Sequence, residues 1–559
     1  MLLRSIVLAA LAAFPAAGSA AAAGTVRHGL SAPVCATSCY AAPAGSGPLF
    51  VFSGHGWGHG VGMSQYGAYG YAQHGSTAQQ ILAHYYPGTT LGTTTAASVR
   101  VLLAERQRTL KLSSSAPYTV KDGSGQTHTL AAGTIALGPG LKVLADGGKT
   151  PQPLPPPLTF APGIAGPLSL GRAYRGQIEV DVVDGKLRAI NVVGLEQYLY
   201  GVVPSEMPSG WATEALKAQA VAARSYALAT RKVGAPFDVY SDTRSQAYLG
   251  VSQEKATATA AVDATKGQVL TYGSKIATTY FFSTSGGQTE SSLDWTGVDL
   301  PYLVSVPDPY DVLSPYHNWG PVPVTGQSVA KALKLPGMVM DLRPTPNPAG
   351  RVGALAVLQQ AKAGAVAATV PGTKLRGAIG LRSTWFSVGV LSLTPPSPGT
   401  PVTYGSSVKL TGLVRGVDGV ALEERNRTSG WHSAGSVAQS ANGAVQLIKK
   451  PTITTDYRLA TATAAAAYVR VRVAPLVRIA FAKAGEVRGR ELPSLPGAPV
   501  RVERQGADLK WTPVATSAAD AVGGFAVTVS LVPGATYRVV VAPGRGYWPG
   551  ISAPVTVAG

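Results

Sequence analysis

The sequence predicts an α+β region followed by two all-β sandwich modules, and three observations carry that expectation. Between about residues 50 and 392 helix and strand signals alternate, the clearest being an alanine-rich helix over 213–231. Beyond a proline-rich joint at 394–401 (TPPSPGTP) every clear signal is a short strand bounded by turns. Glycine (66) and proline (42) together make up about a fifth of the 559 residues, which suits turns and short strands rather than a helical bundle. Charged residues are 13% against 45% hydrophobic, the reverse of a disordered chain. The formal net charge of +19 suits an acidic polymer as partner and does not bear on fold.

Taken in order, residues 1–24 read as a secretory signal peptide. Arg4 gives a positive start, 5–14 an apolar run too short to span a bilayer, and 15–23 a small-residue stretch with A-x-A triplets. No later stretch is apolar enough for an integral membrane segment, so the expectation is a secreted, wall-side protein. Residues 25–49 read as a flexible lead-in. It holds the only two cysteines, Cys35 and Cys39, whose spacing permits a local disulfide; a thiol pair without consequence is the alternative. Two cysteines cannot build a metal cage, and neither metal nor cofactor is expected. The α+β domain follows over 50–392, with a Pro/Gly run at 147–167 read as a surface loop.

Two modules, 394–475 and 476–559, then share one order of signals: strand, Trp (431 and 511), glycine turn, strand with Tyr-Arg (457–458 and 537–538), final strand. In that order 408–410 corresponds to 499–502. Regular short strands of this kind predict immunoglobulin-like sandwiches. From 394 onward 18 basic residues face 9 acidic ones, which favours a spacer or wall-adhesion role over catalysis; a merely solvated surface is the alternative.

Three blocks carry chemistry. The first is GHGWGHGVGMSQYGA over 54–68, where alternating glycines strip the backbone so that something packs against it closely. Ser64 is placed to cap a helix to about Gln73, and Thr77 with Gln80 to form a capping box for a second. His55 and His59 share no helical face and have no third ligand nearby, so a substrate-facing loop or structural turn outweighs a metal site. The second block, EQYLYGVVPSEMP over 196–208, sets Glu206 between two prolines, where neither regular helix nor paired strand is expected. Desolvation there, beside Met207 and Trp211, would raise its pKa toward that of a general acid. On the following helix Lys217 and Arg224 share one stripe, Gln219 and Tyr226 another. Arg224 reads equally as a sugar or carboxylate ligand and as a buried structural pair. The third block ends in STSGGQTE over 283–290, a tight turn whose Ser283, Ser285, Gly286 and Gly287 offer hydroxyls and amides to sugar hydroxyls. No G-x-S-x-G elbow supports a serine nucleophile.

Together these blocks resemble the SpoIID/LytB family, named for a stage II sporulation protein and an amidase enhancer. The segment GAIGLRSTWF over 377–386 resembles the closing block of exported members. The resemblance spans about 50–392 and implies a peptidoglycan-directed, SpoIID-type domain whose sporulation members are lytic transglycosylases. It places the family's catalytic glutamate on Glu206 and matches Lys217, Gln219, Arg224, Ser225 and Tyr226 to the helix after it. Two departures stand out. The GHGVGMSQ element precedes the glutamate here rather than following it, and Ser245 occupies a position where some members carry a zinc-associated cysteine.

The leading expectation is a lytic transglycosylase acting on peptidoglycan glycan strands. One carboxyl group suffices for it, since the muramyl C6 hydroxyl is the nucleophile and Glu206 serves as acid, then base. His59, Gln65, Lys217, Gln219, Arg224, Tyr226, the 283–287 turn and Glu290 are the expected substrate contacts; Glu290 is also the second carboxylate if hydrolysis occurs instead. The rival expectation is a non-catalytic wall-binding protein that enhances a cell-wall amidase. A nucleic-acid partner is disfavoured, because the basic residues are scattered and the chain carries an export signal.

Overall fold

In the computed structural model, residues 34–558 are described except 165, 233, 362–363, 397–399, 439 and 482–484. Residues 1–24, expected from sequence to be a signal peptide, lie outside the described residues.

The α+β region is built from three packed bodies. The first is a β lobe whose seven-stranded sheet runs Val239–Tyr240, Ser98–Gln107, Lys186–Gly194, Gln177–Val183, Leu158–Ala161, Tyr118–Lys121, Thr127–Leu130. The strand Leu158–Ala161 falls inside the proline-rich stretch read from sequence as a surface loop. No proline falls between Pro157 and Pro162, and the alternation Leu158-Thr159-Phe160 there puts Leu158 and Phe160, both fully buried, into the core between two neighbouring strands.

Against that sheet lies a helical layer. Helix α1 (Gln65–Gln73) starts where the Ser64 side chain accepts from the Gly67 amide, and α2 (Ala78–Tyr85) carries the Thr77/Gln80 capping box. Helix α3 spans Leu195–Glu206 and α4 Thr213–Thr230. The alanines of α4 let it be gripped from two sides. Ala215, Ala220, Ala223 and Ala227 pack with the β-lobe core, while Ala218, Val221 and Ala222 pack with Val61, Ile81, Leu82 and Tyr85.

The third body covers 318–393, where the hairpins of Met338–Pro346, Val352–Ala361 and Gly364–Pro371 pack with helices Gly326–Leu333 and Gly372–Ile379. Its central strand is Leu49–His55, far away in sequence and paired between Asn318–Thr325 and Phe386–Leu393. The apolar run Leu49-Phe-Val-Phe52 has no polar face because both faces are buried. Phe50 and Phe52 enter the core of this body, and Leu49 and Val51 enter the core of the next module.

The boundary at 394 is therefore displaced. Phe386–Leu393 pairs onward with Val408–Arg415, which pairs with Ala444–Lys449, so one sheet crosses the proline-rich joint. The opposing sheet of this sandwich holds Ala421–Asn426, Ser429–Ser436, Thr455–Ala460 and Val469–Val471. The second sandwich repeats the plan, with Leu476–Phe481, Glu486–Leu492 and Gly524–Thr528 facing Pro499–Gln505, Trp511–Ala518 and Thr536–Val541. Pro499–Gln505 thus corresponds to Ala421–Asn426, not to 408–410. Glu423 pairs with Arg458, whose guanidinium lies 4.1 Å over Trp431; Glu503 pairs with Arg538, which lies 4.3 Å over Trp511. Each residue of the second set stands 80 positions after its counterpart.

The described part of the lead-in is likewise integrated. Cys35 and Cys39 are joined by a disulfide with Cα atoms 5.6 Å apart, and the Cys35 amide donates to Glu423. Tyr40 and Ala41 add a short parallel strand to Ala464–Ala465. Among the described residues no helix is long and apolar enough to cross a membrane.

Candidate active site around Glu206

Glu206 is the last residue of α3, not part of an irregular bend. Pro204 sits inside the final turn, where its missing N–H forfeits one hydrogen bond. Tyr198, Leu199, Val202 and Val203 are all buried and hold the helix in place regardless, and the extended Met207 followed by Pro208 ends it.

The Glu206 carboxylate accepts from the Ala247 amide at 2.7 Å and from the Gln65 side chain. Burial pushes its pKa up, against the two hydrogen bonds, which pull it down. The Ala247 amide is delivered by the third block: Gln246 is buried and donates to the Ala223 carbonyl of α4 and toward the Tyr198 hydroxyl. Tyr198 and Tyr226 both lie close enough to feel the Glu206 charge. Trp211, just beyond the glutamate, stacks on Tyr69 of α1 at 4.6 Å and meets Tyr66 edge-on at 4.7 Å.

The first and third blocks meet directly. Met63–Ser64 pairs in parallel with Phe281–Phe282, and the Tyr66 amide donates to the Ser283 carbonyl. The stripped backbone has a steric cause here. A Cβ on Gly62 would lie 2.0 Å from the Tyr280 carbonyl oxygen and one on Gly56 2.6 Å from those of Thr284 and Ser285, and both glycines have positive φ.

Other expected contacts resolve into parts of the fold. His59 is not free for substrate: its Nδ1 accepts from Val61, its Nε2 donates to the Phe281 carbonyl, and its ring stacks on Trp295 at 4.6 Å. Burial, with nearby arginine charge, pushes its pKa down to about 3, so the ring is neutral. Arg224 is fully buried; it grips Glu196 through Nη2 (2.6 Å) and Nε (3.0 Å) and donates to the Gln268 carbonyl, which realises the structural alternative. Glu290, 3% exposed, is held by Asn347 at 3.1 and 3.2 Å and by Arg351 at 3.5 Å, so it is not an open second carboxylate. Lys217 pairs with Glu214, which also takes the first amide of α2. The Ser283 hydroxyl bonds Thr284, the Ser285 hydroxyl accepts from Gly287, and the Ser245 hydroxyl accepts from Tyr240. Gln65 contacts Glu206, and Tyr226, half-buried, lies beside it. Gln219 is wholly buried and its amide has no partner among the described residues.

Sequence reasoning missed the residue that ties these blocks together. Asp311, fully buried, accepts from the Ser64 hydroxyl, from the Ser285 and Gly286 amides and, at 3.0 Å, from His317. It therefore fixes both the start of α1, which carries Gln65, and the Ser-Gly-Gly turn. Its buried neighbour Asp308 is pushed up to about 7 by burial and by the charge of Asp311. The signal was present as two aspartates three apart in an otherwise uncharged stretch, DPYDVLSPY. Among the described residues no group of three or more His, Cys, Asp or Glu is gathered as a metal site requires.

Residues 183–272, which include Glu206, α4 and the Ala247 segment, match the family model described as SpoIID, stage II sporulation protein. An uncharacterized protein of Brachyspira hyodysenteriae is 38% identical over 24% of this chain and 38% of its own length. The amidase enhancer of Bacillus subtilis is 41% identical over 20% of this chain and 15% of its own. Stage II sporulation protein D of the same organism is 37% identical over 23% of this chain and 43% of its own. The chain thus spans less than half the length of each of these relatives. A solved two-domain fibronectin type III segment of chicken tenascin is 14% identical with a TM-score of 0.20, covering 30% of this chain and 94% of that one. The segment that holds Glu206 is thus similar to the SpoIID family over residues 183–272.

Proposed function

We propose that this protein is an exported, peptidoglycan-directed lytic transglycosylase in which Glu206 is the sole acid and base. One observation carries the reading: the partly buried Glu206 carboxyl group, with its pKa raised by desolvation, is held by Gln65 and the Ala247 amide where the sequence blocks converge. Protonated, Glu206 gives its proton to the glycosidic oxygen. As carboxylate it then takes the proton of the muramyl C6 hydroxyl, which closes on the anomeric carbon to leave a 1,6-anhydro end. Intramolecular attack needs no second carboxylate. The engagement of Glu290 by Asn347 and Arg351 is consistent with that economy.

The test is mass spectrometry of peptide-free glycan strands after incubation. Wild type is expected to leave anhydromuramyl ends, and Glu206→Gln to lower their rate of formation at least 100-fold. Product from the variant at the wild-type rate removes the assignment.

A second reading is favoured by the relative named an amidase enhancer, 41% identical over 113 residues. On it, the domain grips glycan and stimulates a cell-wall amidase without cleaving. Glycan binding without product, together with faster amidase turnover on added protein, is its signature.

A further inference from the structure

Three arginines surround the glycine-rich loop at 54–62, and two of them lack an acidic partner. Arg351, against which a Gly60 side chain would collide, is engaged with Glu290. Arg376 donates only its Nε, to the Arg382 carbonyl, and that same carbonyl accepts from the Gly58 amide. Neither Arg376 nor Arg382 forms an ion pair among the described residues, and the Arg382 side chain makes no hydrogen bond there.

The Arg382 guanidinium is instead held by rings. It lies 4.3 Å from the centre of Tyr316 and 5.0 Å from that of Trp57, and Tyr316 meets Trp57 edge-on at 4.5 Å. Stacking uses the face of the guanidinium and leaves its in-plane N–H fork free for an anion. Trp57 is 40% exposed although its loop is otherwise packed against backbone. Beside it opens a cavity of about 250 Å³ lined by Trp57, Trp319, Leu381 and Arg382. The buried Nε1 of Trp319 has no acceptor among the described residues. An exposed indole next to an unpaired guanidinium suits a ligand with one apolar C–H face and one carboxylate.

We propose that Trp57, Tyr316 and Arg382 form a subsite for one acid-bearing pyranose unit of a glycan strand, with Arg382 taking the carboxylate and Trp57 the ring. The choice of polymer rests on the glycan reading above. A muramyl unit stripped of its peptide exposes a lactyl carboxylate that the free N–H fork of Arg382 can take.

The experiment uses the full chain carrying Glu206→Gln, so that binding is read without turnover. Calorimetric titration compares a peptide-free tetrasaccharide of alternating N-acetylglucosamine and N-acetylmuramic acid with a tetrasaccharide of N-acetylglucosamine alone. The acidic ligand is expected to bind at least tenfold tighter. Arg382→Gln should bring the two within about twofold while leaving the neutral ligand unchanged, and Trp57→Ala should weaken both at least tenfold. A preference that survives Arg382→Gln, or failure of both saccharides to bind, overturns the subsite. Wild-type cleavage is assayed in parallel. A carboxylate preference without cleavage keeps the subsite and removes the transglycosylase; cleavage without a preference does the reverse.

Discussion

Glu206 is held between opposing influences, and the balance sets its pH behaviour. Burial raises its pKa, while the Gln65 and Ala247 donors lower it. A general acid must begin protonated, so cleavage is expected to fall as pH rises through the raised pKa. Gln65→Ala removes one of the lowering donors, so the alkaline limb of the pH–kcat profile should move to higher pH as the maximal rate drops. An unmoved limb would show that Gln65 does not touch the carboxylate during turnover. Glu206 stands out in the sequence because two prolines and a tryptophan frame it, and the fold adds its contacts with Gln65 and the Ala247 amide. Asp311 was not, since its importance comes from accepting backbone amides 25 and 26 residues away, which leave no pattern in the chain. For Arg224 the residue type and helix face were plain, but its partner Glu196 lies in another helix, and only the fold decides between ligand and clamp.

Among the elements, α4 shows what that clamp is worth. Removing one partner of a buried ion pair leaves the other charged and unsatisfied, so Arg224→Ala should destabilise by about 3–5 kcal/mol in chemical denaturation. Arg224→Lys should recover little, because an ammonium cannot span both Glu196 oxygens and the Gln268 carbonyl. The second sandwich carries the opposite kind of group. Glu491 is buried, one of its carboxylate oxygens is unpartnered, and burial pushes its pKa up to about 7. A carboxyl raised on folding contributes fully below its unfolded pKa, and that contribution is lost as pH rises through the folded value. Glu491→Gln should therefore raise stability at pH 8 by about 2 kcal/mol and leave it unchanged at pH 4, read from thermal unfolding at both pH values. Helices α1, α2 and α4 were legible to within a residue or two because their caps and alanines are local signals. Residues 204–206 were misread as non-helical, since proline's local veto was outweighed by a buried face that only tertiary packing supplies.

At the scale of the whole molecule, the proline-rich joint looked like a domain boundary because composition changes there, yet hydrogen bonding crosses it. Deleting 394–559 strips Phe386–Leu393 of its partner strand and uncovers Leu49, Val51, Leu391 and Leu393. That truncation should aggregate or melt well below the full chain. Deletion of 476–559 should leave a soluble monomer that still acts on soluble strands but is retained less on isolated walls. Size-exclusion chromatography, thermal unfolding and wall pull-down check this; a well-behaved 1–393 fragment would refute the shared sheet.

The strand Leu49–His55 joins the chain's near beginning to partners synthesised much later. Val51 aligns with Gly389, more than 330 positions downstream. During synthesis this apolar run waits for its first partner, Asn318–Thr325, until more than half of the protein has emerged, and longer still for Phe386–Leu393. Pairing this remote is slow to close. The glycine-rich loop that leads from this strand toward Gln65 is thus anchored only once distant parts of the chain have paired, which ties the arrangement around Glu206 to completion of the neighbouring sandwich.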